Sequence, residues 1–555
     1  MRVSLLCLIA VGVASCGPRA SGPGPQLAAI ESADLSSSAA VASSAQFFVA
    51  PQSLHSPTIA APATAETELM EARTSVTVHP MPDDRDPLIR YDDPVPSGAV
   101  RAPASLTSPA PPRDGVETAG RLSDAFRSTY QTNPVINRAR SNLRAADEEV
   151  AIAKSLNRPT IALTANGGLG TERNVNVPTS TGSGTVTDDR PDGIVALEVT
   201  QPLFRGFRTR NATRAAHAGV QAERQRLRAT EQDVILATAV AFLDVRRFRR
   251  GEVLRRREVD FLREQIGAAS DRQRFGEGTR TDVDQATARL GEVESLLLQE
   301  SAQARAAEAR FREFSNVDPG NLKLDIDLSH LVPQSLSEAL TQGQTNNPDI
   351  QLAMHEVDAA SFQVSTLEGE RLPTVSLTGR VGVQAGTSSA DRTESAEVRV
   401  NVSVPIYQGG GVSARVRQAK ESLGSARIGV DVARNETRSD IASAWAAYGT
   451  ALEALDSARR SIGVAQRAVN GILEELRVGQ RTTVDVLDAQ RDLIRVQIIE
   501  AEAERQRDAA GFQLLRELGQ LDPSVLGLAV PRYDPAEHYT DVADRWAGLR
   551  TPDGR

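Results

Sequence analysis

Few residues of this 555-residue chain are spaced for covalent or redox chemistry. The six histidines show no metal-ligand spacing, and there is no nucleophile elbow or catalytic dyad, so neither an enzyme nor a cofactor is expected. Gly409–Gly411 lacks the downstream lysine of a phosphate loop and reads as a turn from strand to helix. Arg246–Arg250 and Arg255–Arg257 have the charge for a nucleic-acid patch. Acids are interleaved (Asp244, Glu252, Glu258, Asp260) and aromatics are few, so a solvated helix face is expected instead and no nucleic-acid partner. That leaves the carboxylates of VDVLDA, Asp485 and Asp488. Thr482 to Asp485 has capping-box spacing, so Asp485 has a structural use at a helix start, where free N–H groups and the helix dipole favour an acid.

These residues are positioned by a scaffold that occurs twice. Asn133-Pro134 returns as Asn347-Pro348 and Pro159 as Pro373, shifts of 214 residues (347−133 and 373−159). QPLFRGF (201–207) returns as VPIYQGG (404–410), and FGEGTRTDVDQA (275–286) as VGQRTTVDVLDA (478–489), shifts of 203 (405−202 and 485−282). The difference of 11 falls between Pro159 and Pro202, which predicts a longer hairpin loop in the first copy. The twins separate the two acids. Asp485 matches Asp282, whereas Asp488 matches Gln285, so copy one builds the same turn without that charge.

Each copy reads helix, strand, strand, long helix, turn, helix. Strands are predicted over Thr374–Gln384 and Glu397–Val404, where apolar and polar residues alternate, and over Thr160–Leu169 and Ile194–Leu203 in copy one. That period fits outer-membrane strands, but four strands cannot close a barrel alone, and lipid does not tolerate open edges. Several chains must therefore contribute if the strands span a bilayer. Long helices are predicted from Gly206 to about Arg274 and from about Gly410 to Arg477, each on the order of 100 Å at 1.5 Å per residue. Leu455, Ile462, Val469 and Leu476 recur with coiled-coil spacing. Helices about half as long are predicted over Leu122–Leu156, Asp282–Asn316, Ser337–Gly369 and Asp485–Leu518, so that two laid end to end match one long helix.

At the N-terminus Arg2 precedes an apolar run, Leu5 to Val13, too short to span a membrane. It ends in Val13-Ala14-Ser15-Cys16, which resembles a bacterial lipobox: residues 1–15 read as a signal peptide and Cys16 as the lipidation site, carrying a diacylglyceryl and acyl anchor. Cys7 lies within the signal, so the mature chain keeps one cysteine and forms no internal disulfide. Residues 16–117, rich in Pro, Ser and Ala, read as a disordered, lipid-anchored leader. The two repeats are placed at 118–335 and 336–530, with a polar C-terminal tail at 531–555. The chain is mildly acidic, with 63 Lys+Arg against 72 Asp+Glu, and only 4% aromatic.

VPIYQGGGVSARVRQAK (404–420), followed by RVGQRTTVDVLDAQRDL (477–493), resembles the TolC family of outer-membrane efflux proteins. The resemblance covers roughly residues 118–530, in both copies and in order. It implies a fold that is mainly α with a small β part: a long α-helical coiled-coil barrel in the periplasm, continued by a transmembrane β-barrel of four strands per protomer and twelve per homotrimer. It also implies a periplasmic membrane-fusion adaptor and an inner-membrane pump of ABC or RND type as partners, with outer-membrane lipid around the strands. By position, Asp485 and Asp488 correspond to the carboxylates of a periplasmic constriction ring, six in a trimer, whose like charges should favour cations and raise some of their own pKa values. Arg481 corresponds to an arginine that helps close the mouth, and Thr281 and Asp282 to its bonding partners. Leu476 stands where the family often has a tyrosine, which removes one closing bond. RTTVDVLDAQ resembles members serving type I protein secretion, whereas a lipobox is commoner among drug and metal efflux channels. The balance favours a passive type I exit duct, with a drug or metal efflux channel as the second reading. A periplasmic coiled-coil adaptor or scaffold is the reading of another class.

Overall fold

A computed structural model describes residues 118–385 and 392–554. The residues read as a signal peptide and a leader, Cys16 among them, lie outside the described residues.

The two copies give nearly superimposable element orders. Copy one runs β1 (Thr118–Arg121), α1 (Leu122–Thr132), α2 (Pro134–Ser155), β2 (Thr160–Thr179), β3 (Gly182–Phe204), α3 (Arg208–Arg274) and α4 (Arg280–Ser315). Copy two runs β4 (Asp318–Lys323), α5 (Leu336–Asn346), α6 (Pro348–Glu368), β5 (Thr374–Ala385), β6 (Arg392–Ser403), α7 (Gly411–Arg477) and α8 (Thr483–Glu517), followed by α9 (Glu537–Val542). The two long helices are 67 residues each, about 100 Å, as their spacing predicted.

The helices expected to run unbroken over Leu122–Leu156 and Ser337–Gly369 are each interrupted at an asparagine. Proline cannot supply an N–H to the preceding turn and disfavours helical backbone before it. Asn133 and Asn347 therefore leave the helix in extended conformation and cap the next one, accepting from the N–H of Val135 and of Asp349, both at 2.8 Å. The same side chains reach the end of a different helix. Asn133 Nδ2 donates to the Phe314 carbonyl in α4 (2.9 Å), and Asn347 Nδ2 to the Glu517 carbonyl in α8 (3.0 Å). One buried amide thus satisfies a free donor of one helix and a free carbonyl of the other. This is how α4 stacks end to end on α2, and α8 on α6.

The junction is where most of the aromatic core sits. Phe126, Phe242, Phe311 and Phe512 are fully buried there, with Leu514, Leu515 and Ile441 beside them. A short parallel pair, β1 with β4, covers the same level; at four and six residues and without alternation it leaves no periodic trace in the sequence.

The strands form one antiparallel sheet in the order β2-β3-β5-β6, so the two hairpins pair through β3 and β5, for example Ala196 opposite Gly382. The additional residues of copy one do not enlarge a loop. They extend the strands to 20 and 23 residues against 12 and 12, and only Ser180 and Thr181 turn between them. β2 and β6 each keep an unpaired edge within the protomer.

Of the arginines on α3, the run Arg246–Arg250 is not a solvated face, whereas Arg256 and Arg257 of the second run stand exposed as expected. Arg246 pairs with Glu504 (2.9 Å), Arg247 with Glu300 (2.8 Å) and Glu502 (2.9 Å), and Arg250 with Glu500 (2.5 Å) and Glu504 (2.9 Å). In return Arg505 reaches Asp244 (2.7 Å). The guanidinium groups ladder α3 to α4 and α8. Their partners lie more than 50 residues away in sequence, so local charge pattern could not reveal them.

Candidate functional site

The two helix–helix turns, α3 to α4 and α7 to α8, lie at the ends of the long helices away from the strands. Gly276 and Gly479, twins at the shift of 203, hold φ of 81° and 76°, a region that costs other residues strain. Each turn feeds a helix opened by a complete capping box. Asp282 accepts from the N–H and hydroxyl of Thr279 (3.0 and 2.8 Å), and Asp485 from those of Thr482 (2.9 and 2.8 Å). These bonds to the charged form hold both carboxyls below their usual range. Within the protomer the Asp485 carboxylate is committed to its own helix start.

Asp488 is placed differently. One turn further along α8, its carboxylate accepts from Arg289 of α4 at 2.7 Å and lies 3.4 Å from Arg491. Asp485, Asp488 and Asp492 line one groove of about 610 Å³ on the α7–α8 face, together with Arg460, Arg481 and Ile472. The three acids gathered there supply no closed ligand cage; among the described residues there is no cluster able to hold a metal ion.

Within one protomer Arg481 does not meet Thr281 or Asp282. It donates to Glu475 at 2.8 Å, Asp282 is engaged by Thr279, and Thr281 sits exposed in the first turn of α4. Besides Arg289–Asp488, a tie that crosses between helices here is Arg272 of α3 donating to the Thr483 hydroxyl at the start of α8 (3.0 Å). Arg272, Arg289 and Glu475 were thus missed, although the duplication carries a signal for all three. At the shift of 203, Arg272 stands opposite Glu475 and Arg289 opposite Asp492. At these two positions the copies reverse charge, basic in copy one and acidic in copy two.

Comparison with known proteins agrees with this geometry. The sequence model of the family described as outer membrane efflux protein matches residues 126–316 and 339–520, one stretch in each copy. The outer membrane efflux protein BepC of Brucella suis is 40% identical over 437 residues, covering 78% of this chain and 93% of the relative. The alkaline protease secretion protein AprF of Pseudomonas aeruginosa is 23% identical, covering 58% of this chain and 68% of that protein. The Campylobacter jejuni CmeC outer membrane channel shares the fold, with a TM-score of 0.63, 15% identity and coverage of 76% of this chain and 89% of that one. The chain belongs to the outer membrane efflux protein family: it is an export channel of tripartite systems, seated in the outer membrane with its helices as a periplasmic tunnel, and not an enzyme.

Proposed function

We propose that three copies of this chain close one passive pore, and that the pore is the exit duct of a type I secretion system. The observation that carries the trimer is the four-stranded sheet with two open edges, β2 and β6. An unpaired edge in hydrocarbon costs several kcal/mol per orphaned group, so neighbouring copies must supply the missing partners. The helices have the same need: Ile428, Val432 and Val464 stand exposed along α7. In the ring Asp485 and Asp488 would set the constriction, and Arg481 would reach Thr281 and Asp282 across a protomer boundary. A periplasmic adaptor and an inner-membrane pump supply substrate and energy, because the channel has no chemistry of its own.

The secretion reading rests on RTTVDVLDAQ (481–490) and on the likeness to AprF, whose name states protease secretion. The likeness to BepC, an efflux protein by name and 40% identical, favours the second reading, a multidrug or metal efflux pump. A deletion strain separates them. Secreted proteins should vanish from the culture supernatant while drug and metal tolerance stay unchanged; lost tolerance with an unchanged supernatant would transfer the assignment to efflux.

A further inference from the structure

The segment after α8 is not a loose polar end. It runs along α2 toward the strands and is fastened at every level. The Tyr533 N–H donates to the Tyr130 hydroxyl (3.3 Å), and Arg140 lies over both rings (4.4 and 5.2 Å). Arg224 donates to the Pro535 carbonyl (3.3 Å). His538 meets the fully buried Asp147 (3.1 Å), and the Tyr539 hydroxyl meets His217 (3.0 Å). Val542 is fully buried, and Asp544 pairs with Lys154 in the last turn of α2 (2.7 Å). This sequence of contacts climbs α2 from Arg140 to Lys154, a rise of about 21 Å at 1.5 Å per residue.

At the top the character of the contacts changes. Arg158 donates to the Arg545 carbonyl (2.5 Å) and lies over the Trp546 ring (4.7 Å), two residues before β2 begins at Thr160. Trp546 is nonetheless 70% exposed, and Leu549 fully so. A chain so firmly fastened that still delivers a tryptophan and a leucine into the open has not finished burying them. Exposed large apolar groups at a fixed position mark a missing partner.

We infer that Trp546 and Leu549 form an interfacial anchor that enters the phospholipid headgroup layer of the outer membrane's periplasmic leaflet. Three features select lipid. The site stands at the helix–strand junction, tied through Arg158 to the chain that enters β2, whose Ile161 and Leu163 are themselves exposed. Its composition is that of membrane interfaces, where an indole places its apolar body toward the acyl chains and its N–H among the headgroups. Arg158 lies over the Trp546 ring, and Arg545 and Arg550 flank it in the chain, cationic groups of the kind that bind lipid phosphates. The buried fastenings below then fix the depth at which the barrel sits, since α2 and the tail move as one body.

The inference rests on the strands spanning the membrane, so it is tested on channels whose conductance has first been verified. The chain has only two tryptophans, and Trp445 packs against the core at the helix junction. A full-length Trp445→Phe variant therefore reports Trp546 alone. In phosphatidylethanolamine–phosphatidylglycerol vesicles, phospholipid brominated at shallow acyl positions should remove most of its emission, while aqueous iodide removes little. Strong quenching by iodide alone would show an indole in water and overturn the anchor. Quenching by neither would show that a neighbouring copy covers it, and would overturn it equally. Should Trp445→Phe fail to assemble, the difference between the wild type and Trp546→Phe isolates the same emission.

Discussion

Replacing Asp488 by asparagine should weaken multivalent-cation block of the channel about tenfold, and replacing Arg289 by glutamine should strengthen it. In the proposed trimer, Asp488→Asn removes three of six carboxylates from one opening. A divalent ion roughly 7 Å from a carboxylate in water gains about 1 kcal/mol, and screening at physiological salt about halves that. Three such losses amount to about 1.5 kcal/mol, a factor of about ten in affinity. The ion pair with Arg289 does not prevent this, because Asp488 is 42% exposed and such pairs contribute only about 0–1 kcal/mol. Arg289 instead competes with the cation, so Arg289→Gln frees the carboxylate and reverses the sign. Block is read as the concentration of a divalent cation that halves single-channel conductance from the periplasmic side. Unchanged block in both variants would remove Asp488 from the constriction; weakened block in both would show the pair to matter for shape instead of charge.

Gly206→Ala should prevent assembly, while its twin Gly409→Ala should be tolerated far better. Gly206 turns β3 into α3 at φ +62°, and a Cβ there would lie 2.4 Å from the Gly369 carbonyl and 2.8 Å from Leu372 Cβ. Gly369 is locked reciprocally, its Cβ position 2.3 Å from the Gly206 carbonyl. The left-handed backbone costs an alanine about 1–2 kcal/mol, and forcing two backbones apart adds about 1–3 kcal/mol. Gly409 has the same φ of +62° with open space around it in the protomer, so only the first cost applies. The amount of heat-modifiable trimer in outer membranes reads the difference. Equal amounts of Gly206→Ala and wild-type trimer would refute the interlock at this turn.

The parts legible in the sequence are those governed by local period and punctuation. Both 67-residue helices end at the predicted Arg274 and Arg477, and all four membrane strands occur where alternation placed them. What escaped depends on partners remote in the chain. The Asn-Pro pairs were legible as punctuation, yet their helix breaks also answer to Phe314 and Glu517 carbonyls 181 and 170 residues away. The arginine ladder needs α8, and the tail needs Asp147, 391 residues before His538. At the mouth the resemblance named Asp485 and Asp488 together, but the structure divides them: one caps its helix, the other ties α8 to α4.

The central claim is that this chain makes a pore. Purified protein added to one side of a planar lipid bilayer should raise the conductance in discrete, uniform steps, and the protein in those bilayers should run as a trimer until heated. A bilayer that stays silent, with protein that remains monomeric and leaves the membrane fraction, would contradict it and leave a periplasmic scaffold in its place.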